Sequence, residues 1–181
     1  VDKLTYDKVD YNNLKGTVAI KDQTVTLKDV QMNALDGKIA VGGSYSTKAN
    51  TKNPAISLTY DVSNLNAEKT FYAFNTVQKL MPIGKFISGK ISSKLTLNGK
   101  LGQDMTPEIS SLSGNGALQL LEGALKKFAP VEKLAQTLNV SELSNFSMND
   151  VKAYIEFANG KVLVKPFHVK VKDIDMEIGG V

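Results

Sequence analysis

One stretch of this chain occurs twice, and that recurrence constrains the fold more than any other feature. Residues 14–43 (LKGTVAIKDQTVTLKDVQMNALDGKIAVGG) align without a gap on residues 151–180 (VKAYIEFANGKVLVKPFHVKVKDIDMEIGG). Val18 and Ile20 answer Ile155 and Phe157, Val25 and Leu27 answer Val162 and Val164, and Ile39 and Val41 answer Met176 and Ile178. Gly42-Gly43 returns as Gly179-Gly180. Identity is low, so what repeats is the apolar pattern. A recurring unit of this kind points to a sheet that grows by adding similar modules, not to a unique catalytic pocket.

Within each copy the apolar residues alternate, the period of a strand with one face buried. The alternation slips by one residue at the same place in both: after Leu27 it resumes at Val30, and after Val164 at Phe167. An extra residue that switches faces is a β-bulge, and Pro166 at the slip suits a bulge or an edge. Asp22-Gln23 and Asn159-Gly160 are turn-like, and Asp36-Gly37 is a strong hairpin signal. Each copy therefore reads as a three-stranded antiparallel meander, in the first copy over 16–21, 24–34 and 37–46. The second copy breaks off at Val181 before its third strand completes, so the sequence is expected to be a fragment of a longer protein.

Between the repeat units (14–46 and 151–181) lies a strand–helix–strand insert, 55–145. Ala55–Val62 alternates cleanly. Leu65–Met81 changes to helical spacing, with Phe71, Phe74, Val77 or Gln78, and Met81 on one face, Asn66 as N-cap, and Pro82 and Gly84 ending it. Ile87–Leu101 returns to strict alternation, and Ser113–Leu121 forms another strand. Phe128–Leu138 makes a second amphipathic helix, opened by Pro130, with Val131, Leu134 and Leu138 inward, and a short helical turn follows at Ser141–Leu143. No low-complexity linker divides these pieces, so residues 1–181 form one domain. The fold class is α+β and mainly antiparallel β: a long curved sheet built from repeated meanders, with two or three short helices packed on it.

Composition narrows the function. An apolar content of 42% and a charged content of 22% describe a folded protein with a real core. No run approaches the ~20 apolar residues that span a bilayer, so any membrane anchor lies outside these residues. Cysteine is absent, which excludes disulfides and thiolate catalysis. All 22 basic residues are lysine. Without arginine's bidentate fork, and without tryptophan, nucleic-acid reading is not expected. The lysines are solubilising and edge-protecting charge, with a weaker attraction to anionic membranes as the alternative.

Apparent catalytic signals weaken on inspection. Gly84-Lys-Phe-Ile-Ser-Gly89-Lys90-Ile91 nearly matches a phosphate-binding loop. However, Ile91 replaces the hydroxyl that holds magnesium, and the segment leads from helix to strand, the reverse of the required order. His168, the only histidine, aligns with Gln31 and reads as a solvated strand residue. Asp173 and Asp175 could share a metal ion, but Asp173 matches the turn residue Asp36. Asn139-Val-Ser141 and Asn145-Phe-Ser147 fit the glycosylation pattern, which carries little weight if the source is bacterial. No catalytic residue, metal site or cofactor is expected.

Taken in order, the motifs resemble the C-terminal region of the AsmA family of Gram-negative envelope proteins. The carriers are the meander G-x-V-x-I-x-D-x-x-V-x-L ending in Gly42-Gly43, the helix ending in Met81-Pro82, the strand Gly89–Gly99, the segment Gly114–Gly123, and the Phe128…Leu138 helix leading into the second meander. Together they cover nearly the whole chain. The resemblance implies a periplasmic domain, tethered to the inner membrane and related to bridge-like lipid transfer proteins, whose sheet folds into a trough with an apolar interior.

Such a trough needs no side-chain chemistry, because aliphatic groups shield acyl chains at ~0.8 kcal/mol per buried CH2. Candidate lining residues are Ile91, Leu95 and Leu97 on the long strand and Leu118 and Leu120 on the next. Val162, Val164, Val169 and Val171 join them from the second meander. Two functions follow. One is a lipid-handling envelope module that supports outer-membrane assembly, with phospholipid or membrane as partner. The other is a structural module whose sheet edges pair with other envelope proteins around a closed, dry core.

Overall fold

The structure, a computed structural model, describes residues 1–141, 143, 147–148, 150–171 and 174–180, and for Val171 and Ile174 the backbone alone. Among the described residues eleven strands form one open antiparallel sheet: β1 Lys3–Tyr6, β2 Val9–Lys21, β3 Thr24–Ala34, β4 Gly37–Ser46, β5 Ala55–Asn66, β6 Ile87–Lys100, β7 Ser113–Leu125, β8 Ser147–Met148, β9 Val151–Ala158, β10 Lys161–Val171 and β11 Ile174–Gly180. Spatial order follows chain order, except that the two-residue β8 pairs with the end of β7 off the main path. Neighbours in sequence are thus neighbours in space, as short turns dictate.

The turns explain this order. Asp7-Lys8, Asp22-Gln23, Leu35-Asp36 and Asn159-Gly160 all hold positive φ at both positions. This is the two-residue hairpin loop whose twist matches that of the strands it joins. The turn expected at Asp36-Gly37 sits one residue earlier, on Leu35-Asp36, and Gly37 is already the first residue of β4. Gly37 has no room for a side chain, because an added Cβ would lie 2.4 Å from the Ser63 carbonyl of β5.

Both expected bulges are present. The β3–β4 register shifts between Leu27 and Val30, and the β10–β11 register shifts between Val164 and Phe167. The two meanders are therefore β2–β4 and β9–β11, with β2 beginning earlier than the alternation suggested, at Val9. Because each bulge realigns the alternation, one face of the sheet stays apolar throughout. The other carries residues such as Lys94, Thr96, Asn98 and Lys100, all exposed, with Lys94 Nζ 2.8 Å from Asp61 Oδ2.

The helices pack on the apolar face. The single helix expected over 65–81 is two, α1 Ala67–Ala73 and α2 Asn75–Leu80, followed by a 3-10 turn at Pro82–Phe86. Asn66 caps α1 as expected, accepting from the Lys69 N–H. The chain breaks at Phe74, which is extended, and the Gln78 amide donates to the Phe71 carbonyl that the break leaves without a helical partner. α3 spans Ala129–Leu138, with Pro130 in its first turn. Its inward residues are Val131 and Ala135, whereas Leu134 and Leu138 are 40% and 51% exposed, contrary to the expected stripe. Leu143 is fully buried and donates its N–H to the Val140 carbonyl, so the expected turn begins there; Glu142 lies outside the described residues.

Candidate functional site

The strand registers align apolar residues into rows that run across the strands. One row reads Val18, Leu27, Gly43, Leu58, Leu97, Gly114, Phe157, Val162 from β2 to β10. The next reads Val30, Val41, Tyr60, Leu95, Gly116, Ile155, Val164, Gly180, ending on β11. At ~4.8 Å per strand the first row is roughly 34 Å long, and no charged residue interrupts it.

The middle of this face is roofed. Leu95, Leu97 and Phe157 pack with Leu112 of the β6–β7 loop and with Leu80 of α2. Leu120 and Val169 pack with Ala135 of α3, Leu143 and Met148. Neither cluster contains a residue of β2, β3 or β4. On those strands Val25, Leu27, Ile39, Val41 and Tyr45 are only half-buried, and Val18 and Ile20 are 59% and 78% exposed.

All the candidate lining residues whose side chains are described share this one face, but they meet different environments. Leu95, Leu97, Leu120 and Val169 are buried beneath the helices and loop. Ile91, Leu118, Val162 and Val164 are half-buried. Val171 pairs with Ile174 at the β10–β11 turn, and its side chain lies outside the description. The accessible residues, Val18 and Ile20 with the half-buried Val25, Leu27, Ile39, Val41 and Tyr45, belong instead to the first meander, where Val30 and Ala34 are buried. The signal for them was present in the same alternation that marks the second copy, but the sequence does not say which copy the helices cover.

Polar groups on this face are satisfied. The buried Ser93 hydroxyl donates to the Ala117 carbonyl at 2.9 Å, and the Tyr60 hydroxyl lies 3.3 Å from Ser93 Oγ. Burial raises the Tyr60 phenol above its ordinary pKa, with the Ser93 hydrogen bond opposing. Among the described residues no buried side-chain nitrogen or oxygen lacks a partner.

Other features lie elsewhere. A polar concavity of about 720 Å3 sits at one end of the sheet between the β1–β2 hairpin, the β3–β4 turn and α1, with Lys8, Asp10, Asn33 and Lys38 among its walls. Lys69 bridges to Asp36 across it at 2.8 Å, and that hydrogen bond, ahead of burial, which opposes it, holds the Asp36 carboxyl below its usual range. His168 is exposed on the polar face, its Nδ1 3.3 Å from Asp175 Oδ1 and its Nε2 3.7 Å from Glu177 Oε2. Among the described residues no group of three or more histidine, aspartate or glutamate side chains is placed to hold a metal ion. Asp173, the other half of the Asp173–Asp175 pair, lies outside the described residues, as does Asn145. Gly84 of the loop-like motif is buried in the 3-10 turn, and Gly89 lies within β6. No helix among the described residues is long and apolar enough to cross a membrane.

Comparison with protein-family models, curated proteins and solved structures gives no match to this chain.

Proposed function

We propose that this chain is a non-catalytic domain of the bacterial cell envelope, periplasmic and tethered to the inner membrane. In this reading it supports outer-membrane assembly by holding or passing phospholipid acyl chains along the apolar face of its sheet. The carrying observation is that one uninterrupted apolar face spans the sheet while helices cover only part of it, leaving Val18 and Ile20 in solvent. Exposed aliphatic side chains such as these are costly to leave in water, and an acyl chain laid across them removes both surfaces at ~25 cal/mol per Å2. The order of motifs shared with the AsmA family supports the same reading.

The test is uptake. The purified chain is incubated with vesicles of phosphatidylethanolamine and phosphatidylglycerol, re-isolated, extracted and analysed by mass spectrometry. Phospholipid should co-purify, and the Val18→Asp/Ile20→Asp double variant, folded by circular dichroism, should retain several-fold less. A chain that emerges free of lipid at every ratio tested would sink the proposal.

A further inference from the structure

The polar concavity at the end of the first meander holds a charge arrangement that the fold itself leaves unused. Lys8 of the β1–β2 loop, Lys38 of β4 and Lys69 of α1 stand among its walls with Asp10 and Asp36. Both carboxylates are already met. Asp10 Oδ2 lies 2.8 Å from the Nζ of Lys3, which is not a wall residue, and Asp36 Oδ2 lies 2.8 Å from Lys69 Nζ. Lys8 and Lys38 are exposed and have no ion-pair partner among the described residues. Two uncompensated cations therefore line one hollow of about 720 Å3, from the hairpin on one side and from β4 on the other.

Two further observations say what the hollow suits. Asn33 is the cross-strand partner of Lys38 and a wall residue; its side-chain amide is half-buried and has no hydrogen-bond partner among the described residues. A neutral donor thus stands with two free ammonium groups, while both carboxylate acceptors are engaged. Lysine ammonium groups are compact point charges that suit the oxygens of a phosphate, whereas arginine's planar fork, absent from this chain, is what matches a carboxylate in two places. The second observation is continuity. Ala34, itself a wall, is buried and ends the apolar run Val30, Met32, Ala34 of β3. The apolar face of the first meander therefore runs up to the polar hollow.

We propose that this hollow binds a phosphate group, with the Lys8 and Lys38 ammonium groups on its oxygens and the Asn33 amide as a neutral donor. Two sources carry that chemistry: the headgroup of a phospholipid whose acyl chains lie along the first meander, or a soluble phosphate ester. The phosphate site stands on its own walls, and only the lipid source rests on the function proposed above.

The test has two arms on the intact chain. Titration with glycerol phosphate, followed by heteronuclear NMR, should shift the Lys8, Asn33 and Lys38 amides saturably. Lys8→Gln/Lys38→Gln should weaken that binding roughly tenfold at low salt, because two charge-assisted hydrogen bonds are lost. Lys100→Gln/Lys152→Gln removes the same charge from exposed positions outside the hollow and should change nothing. Phosphatidylglycerol vesicles supply the second arm. Lipid uptake that falls several-fold in the Lys8/Lys38 variant, but not in the control, assigns the phosphate to the lipid. The Val18→Asp/Ile20→Asp variant should then lose lipid and keep the glycerol phosphate shifts. Saturable shifts without any lipid uptake by the parent chain would assign a soluble ester and sink the lipid function alone. The site itself is overturned by equal effects of the two lysine pairs, or by absence of saturable shifts where lipid uptake is either missing or indifferent to Lys8 and Lys38.

Discussion

Lys79 Nζ stands 2.9 Å from Asp104 Oδ2 and 3.1 Å from Thr106 Oγ1, fastening α2 to the loop that folds in after β6. The helix enters from one end of the sheet and the loop from the other, so this contact closes the roof over Leu95 and Leu97. Both side chains are exposed, so the pair contributes little to global stability. Its effect is local. Asp104→Ala should speed amide exchange in Asn75–Leu80 by about three- to tenfold and leave Tm nearly unchanged. Exchange in α2 identical to that of the parent chain would refute the latch.

The same carboxylate belongs to a group that makes stability pH-dependent. Asp104 lies well below the usual carboxylate range because Thr106 and Lys79 hydrogen-bond it. Asp36 is lowered chiefly by Lys69, and Asp10 by Lys3 and Thr5. A carboxyl depressed on folding stabilises fully above its unfolded value of 3.8 and loses that contribution as pH falls through the folded value. Lys94, raised chiefly by its hydrogen bond to Asp61, behaves in mirror image and loses its contribution above 10.5. Thermal melts should be flat from about pH 5 to 8 and fall on both flanks. Asp36→Asn should shallow the acid flank alone; an unchanged slope would show that Asp36 carries none of it.

Leu97 and Ile20 test where the roof ends. They lie on one face, but Leu97 is 4% exposed and Ile20 is 78% exposed. Truncating a buried leucine costs about 2–5 kcal/mol through lost transfer and a residual cavity. Leu97→Ala should therefore lower stability by that amount in urea denaturation, and Ile20→Ala by less than about 0.5 kcal/mol. Comparable losses would mean that β2 is covered in solution.

The contrast between these two residues also marks what a sequence can disclose. The alternation and its slip are local consequences of pleat and bulge, so both meanders, their register and the shared face of the lining candidates are legible in the residues alone. The hairpin at Asp7-Lys8 is not legible in the sequence because Lys is not a turn signal, although Lys8 holds a φ of +67 in the structure. The break at Phe74 depends on the Gln78 side chain reaching the Phe71 carbonyl, a tertiary detail invisible to helical periodicity. The phase of α3 is similarly decided by what lies beneath it. Val131 and Ala135 meet Leu120 and Val169, and Leu134, though the larger residue, is left at the rim. Which half of the face stays open is set by where the helices land, and no residue of the first meander announces that.

Gly43 and Gly180 allow the repeat itself to be tested. Both hold positive φ, which alone costs an alanine about 1 kcal/mol. At Gly43 the new Cβ would in addition meet the Ser57 carbonyl and the Leu58 Cα of β5, backbone atoms that cannot swing aside. Gly43→Ala should therefore cost about 3 kcal/mol or more and loosen the β4–β5 ladder, visible as faster exchange in both strands. Gly180→Ala has nothing to strike, so its cost should stay near 1 kcal/mol in the free chain. Urea denaturation of the two variants reads the contrast directly, and equal losses would show that the positive φ alone, and not the approach of β5, sets the cost at Gly43.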